Sequence, residues 1–195
     1  MKYFLDCGAH HGEGLLHFIE KLKIDSSWRI LSFEPNKEAF QRLKELKIDG
    51  PDVQFINKGV WTENGNILFN AETKPKERGG DNDGEGSTFI DLTDWNIKEN
   101  NPGAGDFNIS YLCDVIDFSE ILNSLENPDL VVVKMDIEGS EYPVLRKIIS
   151  DRSATVINEI YCEFHDWAMP SEDKGSTMSI IGDLESMGIR VHHWG

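Results

Sequence analysis

The chain is poor in cysteine, poor in cations and without a long apolar run. Its three cysteines, Cys7, Cys113 and Cys162, are an odd number, widely spaced, each inside an apolar stretch. This pattern argues against a disulfide framework and fits buried, reduced thiols in a reducing compartment. No apolar run reaches the length of a bilayer-spanning helix, and the N-terminus lacks the basic-then-apolar order of a secretory signal. The expectation is a soluble, cytoplasmic protein with no membrane insertion. Lys and Arg number 19 against 35 Asp and Glu, for a net charge of −16. That average field repels a phosphate backbone, and no Lys/Arg cluster with interleaved aromatics offsets it, which excludes nucleic acid as the first choice of partner. No internal repeat or linker divides the 195 residues, so a single domain, 1–195, is expected.

What the chain does contain is an alternation of short apolar runs and amphipathic stretches. YFLDC, WRILSFEP and VQFIN read as strands, separated by helices at GEGLLHFIEKLK and NKEAFQRLKEL, the second capped by Asn36. This β-α-β-α-β order implies a parallel sheet with right-handed crossovers. GVWTENGNILFN reads as strand, Asn-Gly turn, strand. AETKPKERGGDNDGEGS, with almost no apolar residues, reads as a mobile surface loop. TFIDL and ISYLCDV read as further strands, and DFSEILNSL as a helix capped by Asp117. DLVVVKMD, continuously apolar, suits the buried centre of a parallel sheet. A helix at SEYPVLRKIIS, a central strand at TVINEIYCEFH, a helix at STMSIIGDLESMG and a last strand at IRVHHW complete the pattern. The fold class is α/β, a doubly wound, mostly parallel sheet with an irregular β insertion after the third strand.

The stretch FLDCGAHHGEG places Gly8 and Gly12 at the end of the first strand. In open α/β sheets that edge is where ligands bind. Gly8 permits a tight turn or a close ligand, and Gly12 lets a helix start nearby, with free N–H groups for a carboxylate. The spacing is neither G-x-G-x-x-G nor a P-loop, and Asp6 would repel phosphate, so a pyrophosphate is not expected. Asp6 suits an ammonium group instead. Glu34, closing the second strand, suits two ribose hydroxyls. Amine, carboxylate and ribose together describe S-adenosyl-L-methionine, whose sulfonium an acidic site tolerates.

VVVKMDIEGSEYPVL, residues 131–145, closely resembles the K-[IM]-D-[IV]-E-G-x-E signature of the FkbM family of methyltransferases. FLDCGAHHGEG resembles that family's first motif, D-x-G-A-N-x-G, and SFEPNKEAF its second. NKGVW and GEGSTF fall where the family has its third-strand turn and a Ser-containing loop. The resemblance spans nearly the whole chain. It implies a Rossmann-like class I methyltransferase fold, S-adenosyl-L-methionine as methyl donor, and a hydroxyl of a sugar or natural product as acceptor. It also implies that Asp6, Gly8 and Gly12 line the methionine part of the cofactor and that Glu34 holds the ribose. On the same basis Val60 and Trp61 lie near the adenine, and Asp136 near the sulfonium. His10 stands where the family has Asn; it retains the ability to hydrogen-bond the methionyl carboxylate, with a pH dependence. The chain begins almost at the first strand, where many relatives carry a further segment, and ends with one strand after the last helix where the fold has two; an excised domain or an open acceptor site would account for the first.

Methyl transfer from a sulfonium is an in-line displacement, and a hydroxyl acceptor must lose a proton as it proceeds. Asp136 ends the fourth sheet strand, and Glu163 and His165 end the fifth, two residues apart and so on one side. These three can hold Mg²⁺ or Mn²⁺, as in related sugar O-methyltransferases; in the alternative, His165 is the general base and no metal binds. Other residues have plainer uses. Glu141 favours the helix N-terminus that follows it, Glu138 is harder to dismiss, and Lys134 pairs with a carboxylate. His11 and His17 read as surface or helix-face residues, and His192 and His193 point to opposite faces of a strand. Trp95, Trp167 and Trp194 suit either core packing or stacking on a sugar, Trp167 best for the latter. The 78–86 loop is either a lid or an inert loop, and DNDGEG lacks the full EF-hand spacing. The acceptor is expected to be a glycan or small molecule, with a small natural product, an N-acceptor or a non-catalytic cofactor-binding role as alternatives. Nothing in the sequence sets an oligomeric state.

Overall fold

A computed structural model describes residues 1–73, 84–97 and 104–194. β1 (Lys2–Cys7), β2 (Trp28–Phe33) and β3 (Asp52–Ile56) alternate with α1 (Glu13–Leu22) and α2 (Lys37–Leu43). β4 (Gly59–Trp61), β5 (Gly65–Thr73) and β6 (Asp106–Asp117) follow, then α3 (Phe118–Ser124) and β7 (Leu130–Met135). α4 (Glu141–Ser150), a 3-10 turn (Ser153–Val156), β8 (Glu159–Cys162), α5 (Lys174–Ser186) and β9 (Arg190–His193) complete the described order. β1, β2, β3, β7, β8 and β9 form one parallel sheet in the order β3-β2-β1-β7-β8-β9. The fold is the doubly wound α/β class. Strand order reverses between β1 and β7, so their carboxyl ends flank the place where such sheets bind ligands.

Alternation along the strands feeds two cores. Leu5, Cys7, Phe33, Val131, Val133 and Met135 pack on one face with Phe118 of α3, Tyr142 and Leu145 of α4 and Leu184 of α5. Phe4, Ile30 and Val132 pack on the other with Leu15 and Phe18 of α1 and Leu43 of α2. Asn36 caps α2 as expected, its side chain accepting from the N–H groups of Glu38 and Ala39, and Asp117 caps α3 by accepting from Ser119. The three cysteines are buried and unbonded to one another. No helix among the described residues is long and apolar enough to cross a membrane.

Four local expectations need correction. β4 and β5 do not pair across their Asn-Gly turn. β6 lies between them, parallel to β4 and antiparallel to β5; its twelve residues offer both edges a partner, which a short turn signal does not reveal. TFIDL is not a strand: Thr88 alone makes a bridge, to Asn70. The fifth sheet strand is only Glu159–Cys162, because Thr155 and Val156 belong to the 3-10 turn. The supposed mobile loop is ordered at both described ends. Ala71–Thr73 finish β5, and the buried Glu72 carboxylate accepts from the N–H groups of Gly86 at 2.8 Å and Gly105 at 2.6 Å. This buried carboxylate ties Gly86 and Gly105 to the end of β5. Residues 74–83, including most of the expected lid, lie outside the described residues.

Candidate active site

A cleft of about 360 Å³ opens at the carboxyl ends of β1, β2 and β7. One wall is made by backbone. The chain leaves β1 through Gly8 at φ +78°, where a Cβ would stand 1.8 Å from the carbonyl oxygen of Asp136. Only glycine allows the two strand ends to approach so closely. His10 follows at φ +49°. Its N–H donates to Glu34 at 2.7 Å, and the N–H of Asn36 donates to the other Glu34 oxygen at 2.7 Å. Glu34 is thereby fixed at the cleft. Burial pushes its pKa up to about 6, against the opposing effect of those two N–H donors. Phe33, Val60, Phe69 and Phe89 give the cleft an apolar side. The Phe69 and Phe89 rings pack at 4.9 Å, and Gly59 leaves room for Phe89, which a Cβ there would strike at 2.3 Å.

The other wall is made by charge. Asp136 follows β7, and Glu138 and Gly139 turn through left-handed conformations, φ +54° and +90°. Glu141, fully buried, reaches back to accept from the N–H groups of Ile137 at 2.6 Å and Gly139 at 2.8 Å. It therefore braces the turn instead of merely complementing the helix dipole. Thr88 donates its hydroxyl to the Glu138 carbonyl at 2.6 Å, tying the insertion to this turn. His165 is 2% exposed. Its Nδ1 lies 3.3 Å from Glu141, and its Nε2 lies 3.3 Å from Glu138 and 3.9 Å from Glu163. Burial would lower the His165 pKa, but Glu141 and Glu138 outweigh it and hold it up to about 10. Burial raises the pKa of Glu138 and of Glu163, the latter with help from Asp136.

The sequence-derived residues divide between wall and support. Gly8, His10, Glu34, Val60, Asp136 and Glu163 line the cleft. Asp6 does not: it is fully buried, accepting from Ser32 at 2.8 Å and lying 3.7 Å from Lys134. An ammonium group does face it, but that of Lys134. Gly12, at φ +95°, starts α1 against Leu46 and Leu43, outside the lining. Trp61 packs toward Phe89, their rings 6.0 Å apart, behind the lining. Glu163 and His165 come together, yet past the end of β8 and not on it. His165 itself stays behind the lining carboxylates.

Lys134 is the residue whose importance sequence reasoning understated. Its ammonium donates to the Gly8 carbonyl at 2.5 Å and lies 3.4 Å from Asp136 and 3.7 Å from Asp6. It thus joins the two walls; the alternating Asp6-x-Gly8 and Lys134-x-Asp136 spacings on paired strands were the available signal. Glu13 also lines the cleft and was not assigned there, and Glu85 lines it from the end of the 78–86 loop. Of the candidate sugar-stacking tryptophans, Trp95 is buried, Trp167 is exposed outside the lining, and Trp194 borders the cleft beside His17 and Phe18.

A cleft with a bare glycine turn, a fixed carboxylate at the end of β2 and an apolar side fits a nucleoside cofactor carrying an amino-acid tail. At the charged wall, the ligand atoms that converge for a cation belong to Asp136, Glu141 and His165, all within 4.8 Å of one another. Glu141 takes the place expected for Glu163 in that set.

Comparison with known proteins agrees with this fold. A crystal structure of methyltransferase FkbM from Methylobacillus flagellatus KT superposes with a TM-score of 0.54 at 17% identity, over 93% of this chain and 37% of that one. This chain therefore spans little more than a third of that protein's length, and the likeness is one of fold. No curated protein matches. The model of the methyltransferase FkbM domain matches residues 6–188, and the chain belongs to that family.

Proposed function

We propose that this domain is an S-adenosyl-L-methionine-dependent O-methyltransferase acting on a hydroxyl of a sugar or glycan. The observation that carries the reading is the pairing of the two walls in one cleft: Glu34 held by two backbone N–H groups on one side, and Asp136, Glu138 and Glu163 on the other. When bound, the cofactor supplies an electrophilic methyl group. Glu34 retains lone pairs to accept from two ribose hydroxyls. Gly8 lets the tail lie against bare backbone. Phe33, Val60, Phe69 and Phe89 exclude water from the base. Acidic lining suits the sulfonium's positive charge.

The acceptor's proton then goes to a carboxylate of the charged wall. Glu163 is our assignment, since it lines the cleft and its raised pKa brings it toward the working range of a general base. His165 is a positioning residue in this scheme. Both its ring nitrogens face carboxylates, so it is an imidazolium that holds Glu138 and Glu163 in place.

A second reading uses a divalent cation. Its support is the convergence of Asp136, Glu141 and His165; against it, both Glu141 oxygens already hold the turn's N–H groups. Methyl transfer to a panel of sugars, amino sugars and small phenols, with and without EDTA, separates these readings. Glu163→Gln is expected to lower turnover about a hundredfold or more while leaving cofactor affinity within about twofold. Unchanged turnover removes Glu163 as base, and loss of activity in EDTA favours the cation. Absence of cofactor binding in calorimetry refutes the enzymatic reading.

A further inference from the structure

His10 and His11 are adjacent in the glycine turn, and the reaction scheme above assigns a step to neither ring. The two imidazoles stack, ring centroids 3.7 Å apart and 25° from parallel. Both face one carboxylate. Nδ1 of His10 lies 4.0 Å from one Glu13 oxygen, and Nδ1 of His11 lies 4.0 Å from the other. One ligand atom from each of the three residues lies within 4.8 Å of the other two. We propose that His10, His11 and Glu13 form a binding site for zinc or a similar late first-row divalent cation at the mouth of the cleft.

The local backbone explains the convergence. His10 sits in a left-handed conformation, which turns its ring onto that of its neighbour. Gly12, also left-handed, starts α1 immediately, so Glu13 becomes the first helical residue and stands beside both rings. H-H-x-E is thus a compact chelate made by one turn. Metal–nitrogen and metal–oxygen bonds of about 2.0–2.2 Å place tetrahedral ligands roughly 3.3–3.5 Å apart. Imidazole lone pairs lie in the ring planes, so the two stacked rings must open by side-chain rotation to aim both Nδ1 atoms at one ion, and Glu13, 76% exposed, must turn to complete the set. Two imidazoles and one carboxylate select Zn²⁺, Ni²⁺, Co²⁺ or Cu²⁺ over Mg²⁺ or Ca²⁺, which demand oxygen ligands. His10 and Glu13 also line the cleft, so a coordination position left open by three protein ligands faces it. The chain's net charge of −16 adds a general attraction for cations.

The site is distinct from the Asp136, Glu141 and His165 cluster and does not depend on the catalytic reading. The test is calorimetric titration of metal-stripped protein with Zn²⁺, alongside Co²⁺ and its visible absorption. We expect binding in the micromolar range, with a Co²⁺ spectrum showing nitrogen and oxygen ligands. His11→Ala and Glu13→Gln are each expected to weaken it roughly tenfold or more, and His165→Gln to leave it intact. Glu13→Gln changes an exposed side chain isosterically, so a folding defect does not confuse the result; circular dichroism checks this for His11→Ala. The proposal is overturned if Zn²⁺ binds more weakly than about 100 μM. It is equally overturned if binding survives both cluster variants, or if His165→Gln abolishes it.

Discussion

The two walls of the cleft are built by opposite means. The Gly8–Glu34 wall is positioned by backbone: left-handed turns, and two N–H groups that donate to one carboxylate. The Asp136–His165 wall is positioned by side-chain charge: four acidic residues around one buried histidine, with Glu141 holding the turn from within. The difference teaches where each wall is vulnerable. Backbone geometry fails by steric change, and Glu34 is the carboxylate through which this wall answers to pH. A charge cluster tolerates small changes of shape but answers to protons. Lys134 couples the two, since it donates to the Gly8 carbonyl and pairs with Asp136.

The largest effect is expected at the steric wall. Gly8→Ala would place a Cβ 1.8 Å from the Asp136 carbonyl in a conformation side chains rarely adopt. A loss of about 3 kcal/mol or more is expected by chemical denaturation. A variant of native stability would mean that the strand ends separate freely. Next comes the proton response of the charged wall. The His165 pKa rises from 6.5 to about 10 on folding, so its stabilising contribution is complete below pH 6.5. It disappears as pH climbs from 6.5 to about 10. Thermal melts of the parent should fall across that window, and those of His165→Gln should fall less; parallel curves would show the imidazole to be uncharged. The smallest effect belongs to Glu34. Its folded pKa of about 6 exceeds the ordinary 4.5, so this group removes stability as pH rises from 4.5 to 6. If Glu34 holds a ribose as proposed, cofactor affinity should instead grow over that interval as it ionises. Glu34→Gln is expected to weaken binding about tenfold at pH 7.5 and to flatten the pH dependence, as read by calorimetry; unaltered affinity would remove the ribose assignment.

Much of the larger sheet was legible because burial writes itself into sequence. Val131–Val133 could only be a strand covered on both faces, and Asn36 and Asp117 announce their helices through capping chemistry. Gly8 and Glu34 were legible at the site because strand ends in an alternating fold define one edge. The strands of the insertion were legible as well, but not their pairing. Strand β6 intervenes between β4 and β5, and pairing over so many residues leaves no local periodicity. Asp6 was misjudged for a related reason: a carboxylate beside a glycine turn looks available until Lys134, far along the chain, covers it. His165 was found, but not its two flanking carboxylates, Glu138 and Glu141, each 3.3 Å from one of its ring nitrogens. Spacing gives proximity but not the balance of charge around a buried ring.

The intervening position of β6 also sets a sequence of events. Val60 and Phe69 stand on strands whose shared neighbour is translated some forty residues later. Residues 1–56 can already form three adjacent strands, whereas the aromatic shelf above them must wait for Asp106–Asp117. The apolar side of the cleft is therefore completed only once β6 has been made, and the Gly8 bend only once Lys134 and Asp136 have joined it.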